Sequence, residues 1–360
     1  MTERGAATAL AVAVELGLGP DYYKWASSLG DGGPFGDRME LPGREEATST
    51  LERLGLKKAI AEEAVSTLPG PATTPGLWWL LERCRERLLG TIGVPEAERG
   101  DWPRLPESLG PAGRYFYVHL FLAVLPFTRD WHRERGVPEE ISWASFNDLR
   151  RQVEMHQDVY GTVGIDHPHW LTLHLRGLIF EVGRLQYTWY RLHSAPEQRE
   201  LWLGGRGVPS GVRSGDGVLG IHIPAGAPLT PEECTDSLVR AGEFFNKCFP
   251  DPTRRIAICS SWLLDEQLGE YLAPGSNILA FQRRFNLVPG WQDCDEDIVA
   301  FVFRRRNVAL GTLRASTTLE RAIIGHLSAG RHWHCRTGWL MIPVGTPPSG
   351  GSSVAPMARP

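Results

Sequence analysis

Residues 217–249 read GVLGIHIPAGAPLTPEECTDSLVRAGEFFNKCF, a strand pattern, a Pro/Gly loop and a helix pattern in succession. Branched residues bounded by glycine and proline predict a strand over Val218–Ile223. Because side chains alternate along a strand, Ile221 and Ile223 share one face and His222 points to the other. A strand that feeds a helix is a unit on which α/β enzymes commonly build a ligand site.

The helix that follows has a clear beginning and one continuous apolar face. Thr230 can cap this helix, Pro231 suits its first position, and Glu233 stands where a capping box requires it. Apolar residues then recur at alternating spacings of four and three, which predicts a single buried stripe. The stripe consists of Cys234, Leu238, Ala241, Phe245 and Cys248.

Length and composition indicate a soluble protein with more than one core. At 360 residues the chain exceeds one ordinary hydrophobic core, so we expect two domains. Hydrophobic residues make up 42% and charged residues 22%, which is typical of soluble globular proteins. A formal net charge of -4 argues against a general nucleic-acid binder. The sequence contains no run of eighteen apolar residues, so we expect no membrane span.

The cysteines and the first residues favour a cytoplasmic protein. The six cysteines form no CxxC pair, as expected in a reducing compartment. The opening stretch MTERGAATALAVAVELGLG contains Glu15 and lacks a basic region before a long apolar core. We therefore predict a helix there rather than a signal peptide. Residues 345–360, GTPPSGGSSVAPMARP, have the composition of a disordered tail.

The first half of the chain has helical patterns separated by Pro and Gly clusters. Few β-branched residues occur in these segments, which favours helices over strands. The predicted helices are Glu46–Leu68, Leu77–Leu89, Arg114–Arg135 and Pro138–Tyr160, the last broken near 145–148, with a turn or short helix at 167–170.

Beyond Gly161, strand patterns alternate with helix patterns, which predicts an α/β or α+β domain. Gly183 lies inside the strand-like stretch Leu173–Leu192 and suggests a bulge or a close backbone approach. Thr317 and Glu320 form a second capping box, for a helix that ends near residue 329. The later predicted strands are Ile256–Trp262, Asn277–Leu287, Ile298–Arg304 and Gly338–Pro343.

Four segments resemble a known family of bacterial proteins. They are FEVGRLQY (180–187), IHIPAGAPLTPEEC (221–234), CSSWLLDEQLGEYL (259–272) and SNILAFQRRF (276–285). The family joins a helical N-terminal acyltransferase domain to a C-terminal domain similar to the GNAT N-acyltransferases. The resemblance implies a helical domain over 1–170, a GNAT-like mixed-sheet domain over 171–344, and the tail 345–360.

The resemblance also implies direct acyl transfer from an acyl-CoA, with acetyl-CoA as the expected donor, to an amine of a small molecule. In GNAT proteins the pantetheine lies along a central strand and the pyrophosphate meets the start of the next helix. A helix N-terminus offers unpaired N–H donors, which suits a phosphate. The cofactor-binding residues implied here are Ile221, Ile223, Ala225, Gly226, Ala227 and Thr230.

Three residues are candidates for proton transfer or covalent catalysis. His222, in the middle of the central strand, can act as the base for an acceptor amine, or it can simply fix the loop by hydrogen bonding. Glu181 is an alternative base whose apolar flanks favour a raised pKa, or it pairs with Arg184. Ser260 is a candidate nucleophile, although no GxSxG elbow surrounds it.

Further residues near the end of the second central strand are candidate substrate contacts. In GNAT folds the two central strands splay apart at this point and line the acyl pocket. Cys259 is either a substrate contact and covalent candidate or a buried structural cysteine. Trp262 is either a substrate contact or a packing residue that accompanies an Asp265 cap. The full set of expected substrate contacts is Cys259, Trp262, Asn277 and Gln282.

Two further polar clusters have alternative interpretations. The stretch GHLSAGRHWHC (325–335) is rich in His and Cys, but its spacing fits no standard zinc site, so we expect no metal. The run Arg304–Arg306 either attracts a CoA phosphate or forms a solvated strand end.

The sequence thus predicts an acyl-CoA-dependent N-acyltransferase in the cytoplasm, with neither nucleic acid nor membrane as partner. A homodimer is compatible with the sequence. Two alternatives stay open. Because the usual glycine-spaced pyrophosphate turn is replaced by prolines, the fold could serve as a CoA-independent binding or scaffold module. A Cys- or Ser-dependent acyltransferase or hydrolase is the other alternative.

Overall fold

The N-terminal half of the protein is helical. A computed structural model describes residues 3–30, 39–97, 100–192 and 211–343, with side chains from residue 8 onward. The predicted tail 345–360 therefore lies outside the described residues. The helices of this half are α1 (Glu3–Glu15), α2 (Pro20–Ser28), α3 (Arg44–Arg53), α4 (Lys58–Ser66), α5 (Pro75–Leu89), α6 (Gly110–Arg114), α7 (Phe116–Glu134), α8 (Glu139–Phe146), α9 (Asp148–Tyr160) and α10 (Pro168–Leu175).

Helix α7 is the centre of the helical half. Every residue from Phe116 to Leu125 is buried, so the first half of this helix is enclosed on all sides by its neighbours. The predicted break near 145–148 is confirmed, since α8 ends and α9 begins there. The single helix predicted over 46–68 is wrong, because Gly55 adopts a φ of 85° and separates α3 from α4.

The C-terminal half is built on a mixed sheet. Its strands are β1 (Ile179–Val182), β2 (Leu185–Arg191), β3 (Gly217–His222), β4 (Ile256–Ser261), β5 (Asn286–Leu287), β6 (Gln292–Asp293) and β7 (His334–Met341). The order across the sheet is β1-β2-β3-β4-β7-β5, and β6 pairs with β7. Strands β3 and β4 are parallel, whereas the other pairs are antiparallel. The predicted helical half followed by a mixed sheet is confirmed.

The central strand and the helix after it form as the sequence predicts. Helix α11 (Pro231–Cys248) begins at Thr230, whose hydroxyl accepts a hydrogen bond from the backbone N–H of Glu233. The entire predicted apolar stripe of α11 is buried. It packs against the sheet face that carries Phe180, Tyr187 and Ile221. The opposite sheet face, which carries His222, is turned toward α9 and α10 of the helical half.

Two predicted strands are helices in the structure. Asn277–Gln282 is α12, because the hydroxyl of Ser276 caps it by accepting from the N–H of Leu279. Asp295–Phe303 is α13, and its first turn carries three acidic residues that complement the helix dipole. The branched residues of that segment suggested a strand. The chain then forms α14 (Thr318–Ser328), whose predicted capping box is present.

The strand-like stretch 173–192 is partly helical. Helix α10 continues to Leu175, and β1 and β2 then form a tight hairpin. Gly183 has a φ of 67° in the hairpin turn, so the conformational freedom expected of this glycine is used for the turn. Among the described residues, no helix is both long enough and apolar enough to cross a membrane.

Candidate active site

The two central strands separate at their C-terminal ends. The ladder between β3 and β4 consists of Leu219 with Ala257 and Gly220 with Ile258. Beyond these pairs, β3 stays bonded to β2 as far as His222, and β4 stays bonded to β7 as far as Ser261. A wedge-shaped gap therefore opens between two strands that each remain anchored on their outer side.

His222 stands at the edge of this gap. Its Nε2 atom lies 3.0 Å from the Thr188 hydroxyl on the neighbouring strand β2. On the other side, the Trp170 ring of α10 meets the imidazole edge to face, with centroids 4.7 Å apart. The side chain is partly exposed, so the imidazole is both held and accessible. These are the properties required of a base that acts on a bound amine.

A polar network lies beside His222 on the same sheet face. Gln186, which is opposite His222 in the β2–β3 ladder, donates to the carboxylates of Asp148 and Glu181. The Arg151 guanidinium binds both oxygens of Glu181, at 2.6 and 3.0 Å. The His174 imidazole and Arg151 together hold the pKa of Asp148 well below its usual range, despite burial.

This network corrects the expectation for Glu181. The structure pairs its carboxylate with Arg151 of the helical half, rather than with Arg184. The Arg151 guanidinium engages both carboxylate oxygens and the Gln186 amide donates to one of them, so both oxygens of Glu181 already have hydrogen-bond donors. Glu181 therefore joins α9 to the sheet, and His222 is the better candidate base.

Arg184 occupies the turn where the pyrophosphate was expected. Its guanidinium donates to the carbonyl oxygens of Pro224, Ala227 and Pro228, at 3.0, 2.6 and 2.7 Å. Three carbonyl oxygens of loop 224–228 are therefore directed at the Arg184 guanidinium. Arg284 flanks the same helix start and donates to the Pro231 carbonyl and the Thr235 hydroxyl.

The expected cofactor-binding residues take three different positions around this loop. Ala225, Gly226 and Ala227 are exposed. Ile221 is buried in the core against α11, and Ile223 packs at its margin. Thr230 is used as a cap: its hydroxyl also donates to the Glu233 carboxylate at 2.7 Å. Since none of these expected residues is charged, the positive charge around loop 224–228 comes from Arg184 and Arg284.

Cys259 and Ser260 point to opposite faces of β4. Cys259 is 1% exposed and packs in the core with α11, which contradicts its expected contact with substrate. Burial raises the pKa of its thiol to about 12, so it is not a nucleophile at neutral pH. Ser260 is exposed, and its hydroxyl lies 2.7 Å from the hydroxyl of Thr337. A threonine hydroxyl does not activate a serine as a histidine would.

Residues 262–282, which follow β4, include three of the expected substrate contacts, Trp262, Asn277 and Gln282. The Gln282 amide donates to the carbonyl oxygens of Leu263 and Asp265, so this side chain ties α12 to the preceding turn. The Asp265 carboxylate accepts from the N–H groups of Gln267 and His334, as its predicted capping role requires. Trp262 packs between two hydrophobic clusters. Asn277 is the first residue of α12.

The His-rich segment near the C-terminus stabilises the fold. His326 is buried, stacks on Trp333 with centroids 4.0 Å apart, and bonds to the Tyr271 hydroxyl. His332 pairs with Asp295 at 2.7 Å. Within the described ranges, no group of three or more His, Cys, Asp or Glu side chains is arranged to hold a metal ion.

The arginine run 304–306 joins the two halves of the protein. Arg305 donates to the carbonyl oxygen of Asp158 at the end of α9, and Arg306 pairs with Asp166 at 3.2 Å. The alternative of a solvated strand end is wrong, because these residues follow helix α13 and contact the helical half.

An open cleft of about 840 Å³ lies in the helical half beside the candidate base. It runs between α2, residues 100–103 and α10. Trp170 lines this cleft and also contacts His222, so its side chain lies between the cleft and the candidate base. Its rim carries Asp21 and Asp101, which are exposed carboxylates.

Sequence reasoning missed Thr188, Trp170, Arg184 and Arg284. Arg184 and Arg284 lie within the segments that identified the family, yet nothing local marks them as ligands. Thr188 and Trp170 acquire their importance only through the β2–β3 register and the docking of α10.

A helical half joined to a mixed sheet with splayed central strands places the protein in the class of GNAT-like acyltransferases. Residues 45–177 match the family model of the N-acyltransferase N-terminal domain, and residues 179–340 match that of the GNAT-like C-terminal domain. The chain belongs to the acyltransferase family that combines these two domains. No curated protein matches it.

Solved structures of similar chains are acyltransferases. One, in complex with decanoyl-CoA and teicoplanin, is 38% identical and has a TM-score of 0.84. Another, in complex with decanoyl-CoA alone, is 40% identical with a TM-score of 0.83. A mutant acyltransferase in complex with octanoyl-CoA is 37% identical with a TM-score of 0.83. In each case the match covers 93% of this chain and 99% of the other.

Proposed function

We propose that this protein is an acyl-CoA-dependent N-acyltransferase that modifies an amine of a small molecule. The observation that carries the proposal is the gap between β3 and β4 with His222 at its edge. An extended pantetheine arm can bond to a strand edge that has no partner strand, much as an added strand would. The acyl group would then enter the gap, with its thioester next to the imidazole.

In the proposed reaction, the ammonium form of the acceptor first loses one proton to solvent, and the His222 imidazole takes a second proton from the nitrogen as that nitrogen becomes bonded to carbon. The amine nitrogen attacks the thioester carbonyl and forms the new C–N bond. A backbone N–H of β3 donates to the developing oxyanion. The C–S bond then breaks, and CoA leaves as a thiolate that is protonated from the imidazolium or solvent.

The start of α11 is the proposed pyrophosphate site. Pro231 removes one N–H donor there, and exposed Glu232 and Glu233 add negative charge. The guanidinium groups of Arg184 and Arg284 flank this helix start and offset that charge. Arginine is well suited to the task because it stays protonated and can bind phosphate oxygens in pairs.

The donor we propose is a medium-chain acyl-CoA. Acetyl-CoA was the expectation from the sequence, but the similar acyltransferases are bound to decanoyl-CoA and octanoyl-CoA. The gap supports the same choice, because the small, exposed Ser260 side chain lies on β4 beyond the last ladder pair with β3. An acyl-CoA donor also supports a cytoplasmic location.

The acceptor we propose binds in the cleft beside Trp170. One similar acyltransferase is in complex with teicoplanin, so a large amine-bearing small molecule of that kind is the model acceptor. A cleft of about 840 Å³ is large enough for part of such a molecule. Asp21, Asp101 and Lys24 line this cleft, so one negative charge is in excess there, which suits a cationic acceptor.

A CoA-independent scaffold is the second candidate, because Glu232 and Glu233 disfavour an anion at the start of α11. Thermal denaturation with added decanoyl-CoA separates the two, since a ligand that binds only the folded state raises the melting temperature. A saturable rise supports the acyltransferase. The scaffold is favoured if the melting temperature does not change at millimolar decanoyl-CoA.

Replacement of the base tests the mechanism directly. We expect His222→Gln to lower kcat by about 10² to 10⁴-fold, as is usual for loss of a general base, while the melting temperature changes little. His332→Gln is the matched control, because this exposed histidine pairs with Asp295 of α13 and not with a residue of the central strands. Full turnover by His222→Gln together with a lowered melting temperature would assign His222 a structural role.

A further inference from the structure

Thr188, Gly220 and His222 form a compact unit on one face of the sheet. Thr188 on β2 lies directly opposite Gly220 on β3 in the antiparallel ladder. His222 is two residues further along β3, so its side chain rises on the same face. The imidazole leans back over Gly220, and its Nε2 atom reaches the Thr188 hydroxyl at 3.0 Å.

Gly220 makes this bond sterically feasible. A Cβ atom at position 220 would overlap the Thr188 hydroxyl oxygen and lie 3.3 Å from His222 Nε2. It would also lie 3.1 Å from a ring carbon of Tyr190. The absent side chain therefore leaves the space in which the threonine and the histidine meet. Trp170 closes the imidazole in from the helical half.

We infer that Thr188 is a positioning residue that fixes the tautomer and orientation of the base, an inference that rests on the proposed function. The Thr188 oxygen accepts the proton-bearing Nε2–H of His222. The basic lone pair of the neutral imidazole is then on Nδ1, which receives the proton from the amine. In the imidazolium that results, Nε2–H still donates to Thr188, so the same bond stabilises the charged intermediate.

Other charged groups on this sheet face come from three elements packed against it. They form the polar network around Gln186 and do not replace Thr188, because they pair with one another and with Gln186. These groups are Asp148 and Arg151 of α9, His174 of α10 and Glu181 of β1.

Thr188→Val tests the inference, since valine keeps the shape and suits a strand but cannot accept a hydrogen bond. With decanoyl-CoA as donor, we expect kcat to fall at least about tenfold, while KM for decanoyl-CoA stays within about twofold. The acidic limb of the kcat profile should move to lower pH, because the imidazolium loses an acceptor. Thr188→Ser should restore most of the turnover and the position of the limb.

A second variant approaches the same bond from the glycine. Gly220→Ala pushes the imidazole away from Thr188, so it should reproduce the loss of turnover and the shifted limb of Thr188→Val. If Thr188→Val does not fold, as judged from its thermal transition, Thr188→Ala gives the same test with a smaller side chain.

The outcomes distinguish this inference from the proposed function. Wild-type kcat and an unshifted limb in Thr188→Val, while His222→Gln is inactive, would overturn the positioning role and leave the base in place. Wild-type turnover by His222→Gln would instead remove the proposed base, and the inference with it. A lowered melting temperature in Thr188→Val without any kinetic change would make the bond purely structural.

Discussion

His222 and Ser260 occupy equivalent positions on the two central strands, one on each side of the gap between them. Each lies two residues beyond the last ladder pair, Gly220 with Ile258, so both side chains point to the same face of the sheet. His222 is held by the outer strand β2, and Ser260 is held by β7. The chemistry we propose depends on this separation, because an acyl chain must pass between them.

A larger side chain at position 260 should shorten the acyl chain that the enzyme accepts. Ser260→Leu places four carbons at the exposed edge of β4, where the gap opens. We expect kcat/KM for decanoyl-CoA to fall at least about tenfold, whereas kcat/KM for butyryl-CoA falls by less than about threefold. Steady-state assays with a series of acyl-CoA donors measure this change. An equal loss for every donor would show that Ser260 does not line the acyl path.

Arg184 should contribute to binding of the CoA phosphates. Arg184→Gln removes the positive charge inside loop 224–228 and keeps a donor for one of its carbonyl oxygens. We expect Kd for CoA to rise about tenfold, equivalent to about 1.4 kcal/mol, with a weaker dependence on salt. Isothermal titration at two ionic strengths measures both quantities.

Arg283 provides the matched control for that experiment. It is an exposed arginine next to Arg284, and its guanidinium donates to the carbonyl oxygen of Pro274. Arg283→Gln removes the same charge from the protein without touching the start of α11, so Kd for CoA should stay within about twofold. If both substitutions raised Kd for CoA equally, Arg184 would act on CoA binding only through the net charge of the protein.

Thr230 should matter for stability more than for the cofactor. Its hydroxyl caps α11 and also donates to Glu233, so Thr230→Ala should lower the free energy of unfolding by about 1 kcal/mol. Thr317→Ala, at the capping box of α14, should cost a similar amount. Urea unfolding measures both. An increase in Kd for CoA as large as that of Arg184→Gln would return Thr230 to the phosphate site.

Local signals in the sequence were sufficient for the centre of the fold. The alternation of Ile221 and His222, the cap at Thr230 and the stripe on α11 each depend on residues close together in the chain. Their structures follow from local sterics and from one apolar face per element. The choice of His222 as base also came from this alternation, because it placed the imidazole away from the core.

The remaining site residues depend on contacts between distant parts of the chain. Glu181 and Arg184 are three residues apart, but the hairpin turn at Gly183 separates them. Glu181 then pairs with Arg151, and Arg184 with a loop forty residues away. Nothing in the spacing of the two charges reveals either partner.

The errors in secondary structure have a similar origin. Residues 298–303 contain enough branched side chains to favour a strand, yet the acidic turn before them begins a helix.

Cys259 was a candidate substrate contact because it ends a central strand, but the register of β4 turns it to the core. A shift of one residue in register reverses the faces of every side chain, and sequence alone did not fix that register.

Two histidines in the helical half should make the stability of the protein depend on pH. His119 of α7 is buried and bonds to the Ala64 carbonyl, and burial lowers its pKa to about 4. His132 is buried next to the Ser142 hydroxyl and stacks on Phe146, and burial lowers its pKa to about 3. Both are therefore neutral in the folded state at pH values where the unfolded chain is protonated.

The direction of the pH dependence follows from the lowered pKa values of His119 and His132. Between the unfolded value of 6.5 and about pH 4, the unfolded state binds more protons than the folded state, so the free energy of unfolding falls as pH falls. Each histidine adds a slope of up to about 1.4 kcal/mol per pH unit. Urea unfolding of His119→Gln between pH 7 and 4.5 should show a smaller slope than the wild type. His332→Gln should leave the slope between pH 5.5 and 4.5 unchanged, because Asp295 raises the pKa of His332 and the contribution of that pair varies only above the unfolded value of 6.5. An unchanged slope in His119→Gln would mean that His119 is protonated within the folded protein, contrary to its buried contact with α4.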